Sequence, residues 1–153
     1  MAYKTTGMRQ NVCNRKGRTV IEDCYNASPE SMIASIKVLC DMAGRNGKRA
    51  VAVLGNMLEL GDYSKEGHRR VGAALALSSV SELITLGSDA LEIAKAAVEF
   101  GFDAQKVAVF ENTEDILPVS QYVLKNTDEN DIILFKASRG VRLERVIEYI
   151  KEN

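Results

Sequence analysis

The stretch "KASRG" (136–140) ends an apolar run with Lys136, then sets Ser138 and Arg139 side by side. An ammonium, a hydroxyl and a guanidinium this close together can bind a carboxylate or a phosphate, the guanidinium through paired N–H donors. Two readings are open. Ser138 caps a final helix with Arg139 solvated in its first turn, or the group meets an anionic ligand, since a cation in a first turn opposes the helix dipole. A second cluster, "DCYN" (23–26), places an acceptor-only carboxylate, a phenol and an amide (Asp23, Tyr25, Asn26) where an apolar run meets a helix start at Ser28–Pro29. A third stretch, "GNMLELGDYS" (55–64), carries Met57, Leu58 and Leu60 between glycines. Leaving these side chains in water is costly. The loop therefore packs on its own sheet, or against a ligand or second domain with Glu59 presented as an acceptor. His68, the only histidine, follows, and its alternatives are a structural or a catalytic ring. Cys24 beside Asp23 reads better as a buried small residue than as a nucleophile.

Other chemistries lack their residues. There is no G-x-x-x-x-G-K-[ST] phosphate loop, no G-x-G-x-x-G after the first strand, no Ser-His-Asp arrangement and no metal-ligand cluster. With 20 Lys+Arg against 21 Asp+Glu the charges nearly cancel, and no basic tract marks a nucleic-acid footprint. No apolar run approaches the roughly 20 residues of a membrane span, and the N-terminus lacks the apolar middle of a signal peptide. Three widely spaced cysteines fit reduced thiols in a cytoplasmic protein rather than a disulfide frame.

Positioning these groups requires a scaffold. Five continuous apolar runs, 19–25, 49–55, 81–87, 106–110 and 131–136, read as strands covered on both faces. Between them lie helical patterns. From Pro29 to Ala43, Met32, Ile36, Leu39, Cys40 and Ala43 form one stripe. Ser64 is placed to cap a helix through Leu77, and Ser88 one through Phe100 that Gly101 ends. A helix near 113–125 should start late or kink at Pro118, and the last runs from about Val141 to Lys151. "MRQNV" and "RTVIED" around "CNRKG" read as a hairpin. The whole is an open, mostly parallel Rossmann-like α/β sheet with helices on both faces and one antiparallel N-terminal edge strand. At 153 residues and 46% hydrophobic content it is one domain, with residues 1–17 as lead-in strand and turn. In such sheets ligands bind beyond the strands' carboxyl ends, and all three clusters fall on that rim.

The same residues carry a resemblance. "GMR" (7–9), "DCYNASPESM" (23–32), "GNMLELGDYSKEGH" (55–68) and "KASR" (136–139) are similar, in order, to the motifs of the C-terminal domain of the Mur ligases. Those are usually an arginine in a G-R-type stretch, D-x-Y-N-A-N-P-x-S-M, G-D-M-x-E-L-G-x-x-S-x-x-x-H and K-G-S-R. The likeness is greatest to the branch that adds D-alanyl-D-alanine to UDP-N-acetylmuramoyl-tripeptide in peptidoglycan precursor synthesis. Ser28, Asn56 and Ala137 depart from the pattern, which puts an acidic role at 56 and a close backbone approach at 137 in doubt. The resemblance implies an ATP-dependent ligase working through an acyl phosphate. The N-terminal domain, and the central domain that carries the phosphate loop and Mg2+ ligands, would be absent from this chain, leaving it inactive alone and monomeric. It implies Arg9 at the transferred phosphate; Asp23 and Asn26, with Arg9, at ATP; and Tyr25, Lys136, Ser138 and Arg139 at the dipeptide. Asn56, Glu59 and His68 would belong to an interdomain loop. Another amide ligase of the Mur or folylpolyglutamate type, or a non-catalytic nucleotide-binding module, is the alternative.

Overall fold

The computed structural model describes residues 11–24 and 26–153. Arg9 and Tyr25, both expected at the site, lie outside them. Six strands form one sheet: β1 (Asn11–Arg15), β2 (Arg18–Asp23), β3 (Arg49–Gly55), β4 (Glu82–Leu86), β5 (Val107–Phe110) and β6 (Asp131–Lys136). Their order is β1-β2-β6-β3-β4-β5. Among the described residues only β1 pairs antiparallel, at the edge, as its hairpin requires. The helices are α1 (Pro29–Asn46), α2 (Ser64–Ala76), α3 (Leu91–Glu99), α4 (Leu117–Asn126) and α5 (Glu144–Glu152).

Strand alternation divides the core. Ala52, Leu54, Ile132 and Leu134 pack on one face with Met32 of α1, Val71 of α2 and Ile93 of α3. Val51, Val53, Ile133 and Phe135 pack on the other with Val123 of α4 and Ile150 of α5. The chain thus lays β3, β4 and β5 down in one direction, with helices on the first face. It then returns over the second face to insert β6 between β2 and β3. The segments leaving β2 and β3 turn to the first face, and the one leaving β6 turns to the second. Such divergence opens a crevice at the carboxyl ends, here on both sides of β6.

Several local expectations are corrected. The hairpin turn is Lys16–Gly17 alone, both at positive φ (55° and 84°), the geometry of a tight two-residue turn. Cys13, Asn14 and Arg15 therefore stay in the ladder. Ser64 and Ser88 cap nothing: a 3-10 turn (Gly61–Tyr63) leads into α2, and neither α2 nor α3 has a side-chain cap. Ser28 does cap α1, in a reciprocal box with Ser31. α4 starts late, with Pro118 in its first turn. The final helix begins at Glu144, after a 3-10 turn (Arg139–Val141) and a left-handed Arg142. Ser138 therefore does not cap it, and Arg139 does not oppose its dipole.

Cys24, just past β2, is buried, its thiol against the Phe135 carbonyl. Burial, with Glu22 nearby, pushes its pKa far above the ordinary thiol range, opposite to what a nucleophile needs. An alkylating reagent at pH 8 is expected to modify Cys24 only after denaturant unfolds the chain. Labelling of Cys24 in the native state at the rate of a free thiol would contradict this burial.

Candidate functional site

The site is the rim formed by the carboxyl ends of the parallel strands, and its construction starts from one strand pairing. Asp23 and Lys136 are register partners, the last residues of β2 and β6. By alternation both point to the first face, under α1. There Lys136 Nζ lies 2.6 Å from Asp23 Oδ2, and Ser35 of α1 donates its hydroxyl to the same oxygen at 3.0 Å. Lys136 also donates to the carbonyl of Asn26 at 2.9 Å, tying down the segment that follows β2. Lys136 and Asp23 are each 2% exposed. Removing one partner of such a buried pair leaves an uncompensated charge, which costs about 3–5 kcal/mol.

The other side of β6 is bound as tightly. Ser138 N–H donates to the Asn56 carbonyl at 3.0 Å, and the Ser138 hydroxyl accepts from Leu58 N–H at 2.7 Å. Asn56 Oδ1 accepts from Ala90 N–H at 2.8 Å, holding the turn after β4 in place of the cap that Ser88 does not provide. Gly87 opens that turn at φ +120°, where a Cβ would lie 2.1 Å from Asn56 Oδ1. Only glycine fits. Gly87 N–H in turn donates to the Phe110 carbonyl at the end of β5. A line of polar contacts therefore crosses the rim from Asn26 to Phe110, with Lys136, Ser138 and Asn56 as its links.

The loop after β3 is both buried and displayed. Met57 is buried in the first-face core and Leu60 packs partly against it, whereas Leu58 is exposed beside Gly140. Glu59 is exposed at φ 65°, a left-handed conformation uncommon for a residue with a side chain. His68 is fully buried. Its Nε2 accepts from Met57 N–H at 2.9 Å, so Nδ1 carries the proton and donates to the Ser64 carbonyl at 2.6 Å. Both ring nitrogens serve the fold.

The departures from the family pattern acquire reasons. Asn56 works as an acceptor, a task its amide oxygen performs as a carboxylate would. Ala137 is fully buried and is not at positive φ. Its Cβ fills the space left by Gly55, where a Cβ would lie 2.8 Å away. Position 137 thus faces the core.

Of the residues expected at ligands, Asp23, Asn26, Lys136, Ser138 and Arg139 stand on this one rim. Asn26 and Arg139 are exposed, and Lys136 is committed to Asp23 and Asn26. The contribution of Ser35, at the end of the second turn of α1, had no signal in the sequence.

Comparison with known proteins follows the same residues. The family described as Mur ligase, glutamate ligase domain matches residues 8–139. The UDP-N-acetylmuramoyl-tripeptide--D-alanyl-D-alanine ligase of Bacillus subtilis is 36% identical over 98% of the chain, which spans 32% of that relative's length. The crystal structure of MurF ligase from Thermotoga maritima in complex with ADP superposes with a TM-score of 0.76 at 32% identity, covering 98% of this chain and 32% of that one. MurF from Acinetobacter baumannii gives the same TM-score, 0.76, at 28% identity, covering 94% and 30%.

Unfolding of the chain by urea tests the buried pair. Lys136→Met is expected to cost about 3–5 kcal/mol, and the double variant Asp23→Leu/Lys136→Met to recover most of it. Equal losses in the single and double variants would contradict a charge-pairing origin.

Proposed function

We propose, because this chain belongs to the Mur ligase family, that it supplies the acceptor-side wall of an ATP-dependent ligase joining D-alanyl-D-alanine to a UDP-N-acetylmuramoyl-tripeptide. The phosphate-binding half of the cleft would come from companion domains. The observation that carries this reading is the Asp23–Lys136 ion pair, which joins the segment assigned to nucleotide and the turn assigned to dipeptide into one surface.

The roles follow from charge and exposure. Arg139, exposed at the turn after β6, pairs with the dipeptide carboxylate through its N–H fork. The Ser138 hydroxyl, whose oxygen accepts from Leu58, keeps its own O–H to donate to the same carboxylate. Lys136 forms the floor: two of its three N–H donors hold Asp23 and Asn26, fixing the segment that faces the nucleotide ribose. For Tyr25 and Arg9, outside the described residues, the roles proposed are those the family resemblance implies: Tyr25 toward the dipeptide, and Arg9 toward the transferred phosphate, where charge grows in the transition state. Asn56, Glu59 and the exposed Leu58 face the companion domain.

In the proposed reaction the tripeptide carboxylate takes the terminal phosphoryl group of ATP. The dipeptide amine then attacks the acyl carbon, and phosphate leaves. This wall contributes orientation, holding the amine near the acyl phosphate, an effect that can supply a large share of a bimolecular barrier. Among the described residues no group of three or more His, Cys, Asp or Glu side chains could hold a metal ion.

In the complete ligase carrying this chain, Arg139→Ala is expected to raise the apparent KM for D-alanyl-D-alanine at least tenfold, the scale of one charge-assisted hydrogen bond, and to change that for ATP less than twofold. An unchanged dipeptide KM would overturn the carboxylate assignment. The chain alone is expected to release no phosphate from ATP, with or without the dipeptide, in a coupled phosphate assay.

A further inference from the structure

The peptide group between Asn56 and Met57 is gripped from both ends. Its carbonyl accepts from Ser138 N–H, and its N–H donates to His68 Nε2. In a trans peptide these two atoms point in opposite directions on one rigid plane, so the orientation of the plane is set by His68 on one side and Ser138 on the other. The next N–H, that of Leu58, returns to the Ser138 hydroxyl. The imidazole is itself fixed at its far nitrogen by the Ser64 carbonyl, in the first turn of α2. A leucine could fill the same buried space but would leave the Met57 N–H without an acceptor, and a buried N–H without an acceptor carries a desolvation penalty. The loop also has reason to move if released, because Glu59 sits at positive φ (65°), a conformation strained for a residue with a side chain, and such strain persists only where its surroundings enforce it.

We propose that His68 is a positioning residue for dipeptide binding: it holds the Asn56–Met57 peptide plane, and through it the Ser138–Arg139 turn, in the orientation that receives the dipeptide carboxylate. His68 touches no substrate in this arrangement. Its effect passes through one peptide group. The inference rests on the proposed role of the turn, and its test separates the two.

The test is steady-state kinetics of the complete ligase with D-alanyl-D-alanine and ATP varied in turn, at a temperature well below the unfolding midpoint of each variant. His68→Leu is expected to raise the dipeptide KM roughly tenfold, the weight of one lost hydrogen bond, with the ATP KM and kcat changed less than twofold. His68→Gln keeps an acceptor within reach of Met57 N–H and should restore most of the affinity, which a role in packing alone would not require. Should the leucine variant fail to fold, His68→Asn, whose shorter amide cannot reach Met57, takes its place in the comparison with His68→Gln. An unchanged dipeptide KM in His68→Leu, or a glutamine variant no better than leucine or asparagine, overturns the assignment. Arg139→Ala run alongside distinguishes the failures: if it raises the dipeptide KM and His68→Leu does not, only the His68 role is lost, and if neither does, the reading of the turn is lost with it.

Discussion

The pairing of Asp23 with Lys136 is the constraint from which the rim is built. Inserting β6 between two strands whose following segments turn to the opposite face leaves its last residue at the mouth of a divided crevice. A lysine there must either reach water or find a partner, and the register with β2 delivers a carboxylate at 2.6 Å. Burying two charges is expensive, and the additional bonds from Ser35 and to Asn26 make the arrangement tenable. Once β2 and β6 are locked at their ends, Ser138 follows two residues later at a fixed height beside β3. The contacts to Asn56 and Leu58 then fall within reach.

The result is a wall whose polar groups are oriented by the fold before any ligand arrives. In the proposed ligase that matters more than any single contact. A domain that closes on a partner pays less for binding when its donors need no reordering, and the geometry between two reacting groups decides much of the rate. The wall has two registers. Asp23, Lys136 and His68 are buried and hold the backbone, while Asn26, Glu59 and Arg139 are exposed at the mouth of the crevice. Leu58, apolar and displayed at the same mouth, gives that surface a hydrophobic point for a neighbour to cover.

Much of this was legible in the sequence, for definite reasons. Val51–Leu54 and Ile132–Phe135 are continuous apolar runs because both faces of the sheet are covered, and the spacing of Met32, Ile36 and Leu39 follows from one buried helix face. The collection of Asp23, Asn56 and Ser138 on one rim follows from parallel topology. Pairings across the sheet were not legible. Asp23 and Lys136 are 113 residues apart, and which strand lies beside which is decided by where β6 inserts, a tertiary outcome without a local signal. Serines misled for a related reason. Ser28, Ser64, Ser88 and Ser138 share the same local setting before a helix, yet only Ser28 caps one. The hydroxyl of Ser138 is drawn to Leu58 by a loop 80 residues away, and the work expected of Ser88 is done by Asn56.

The central claim is that the rim is preassembled, and native-state amide hydrogen exchange of the unliganded chain addresses it directly. A preassembled rim requires the N–H groups of Met57, Leu58, Ala90 and Ser138, all outside regular strands, to exchange within about tenfold of the β3 and β6 core amides, because opening them demands breaking the same cooperative unit. Exchange of these four at the rates of exposed loops, while the core stays protected, would show that the wall forms only on closure and would contradict the account.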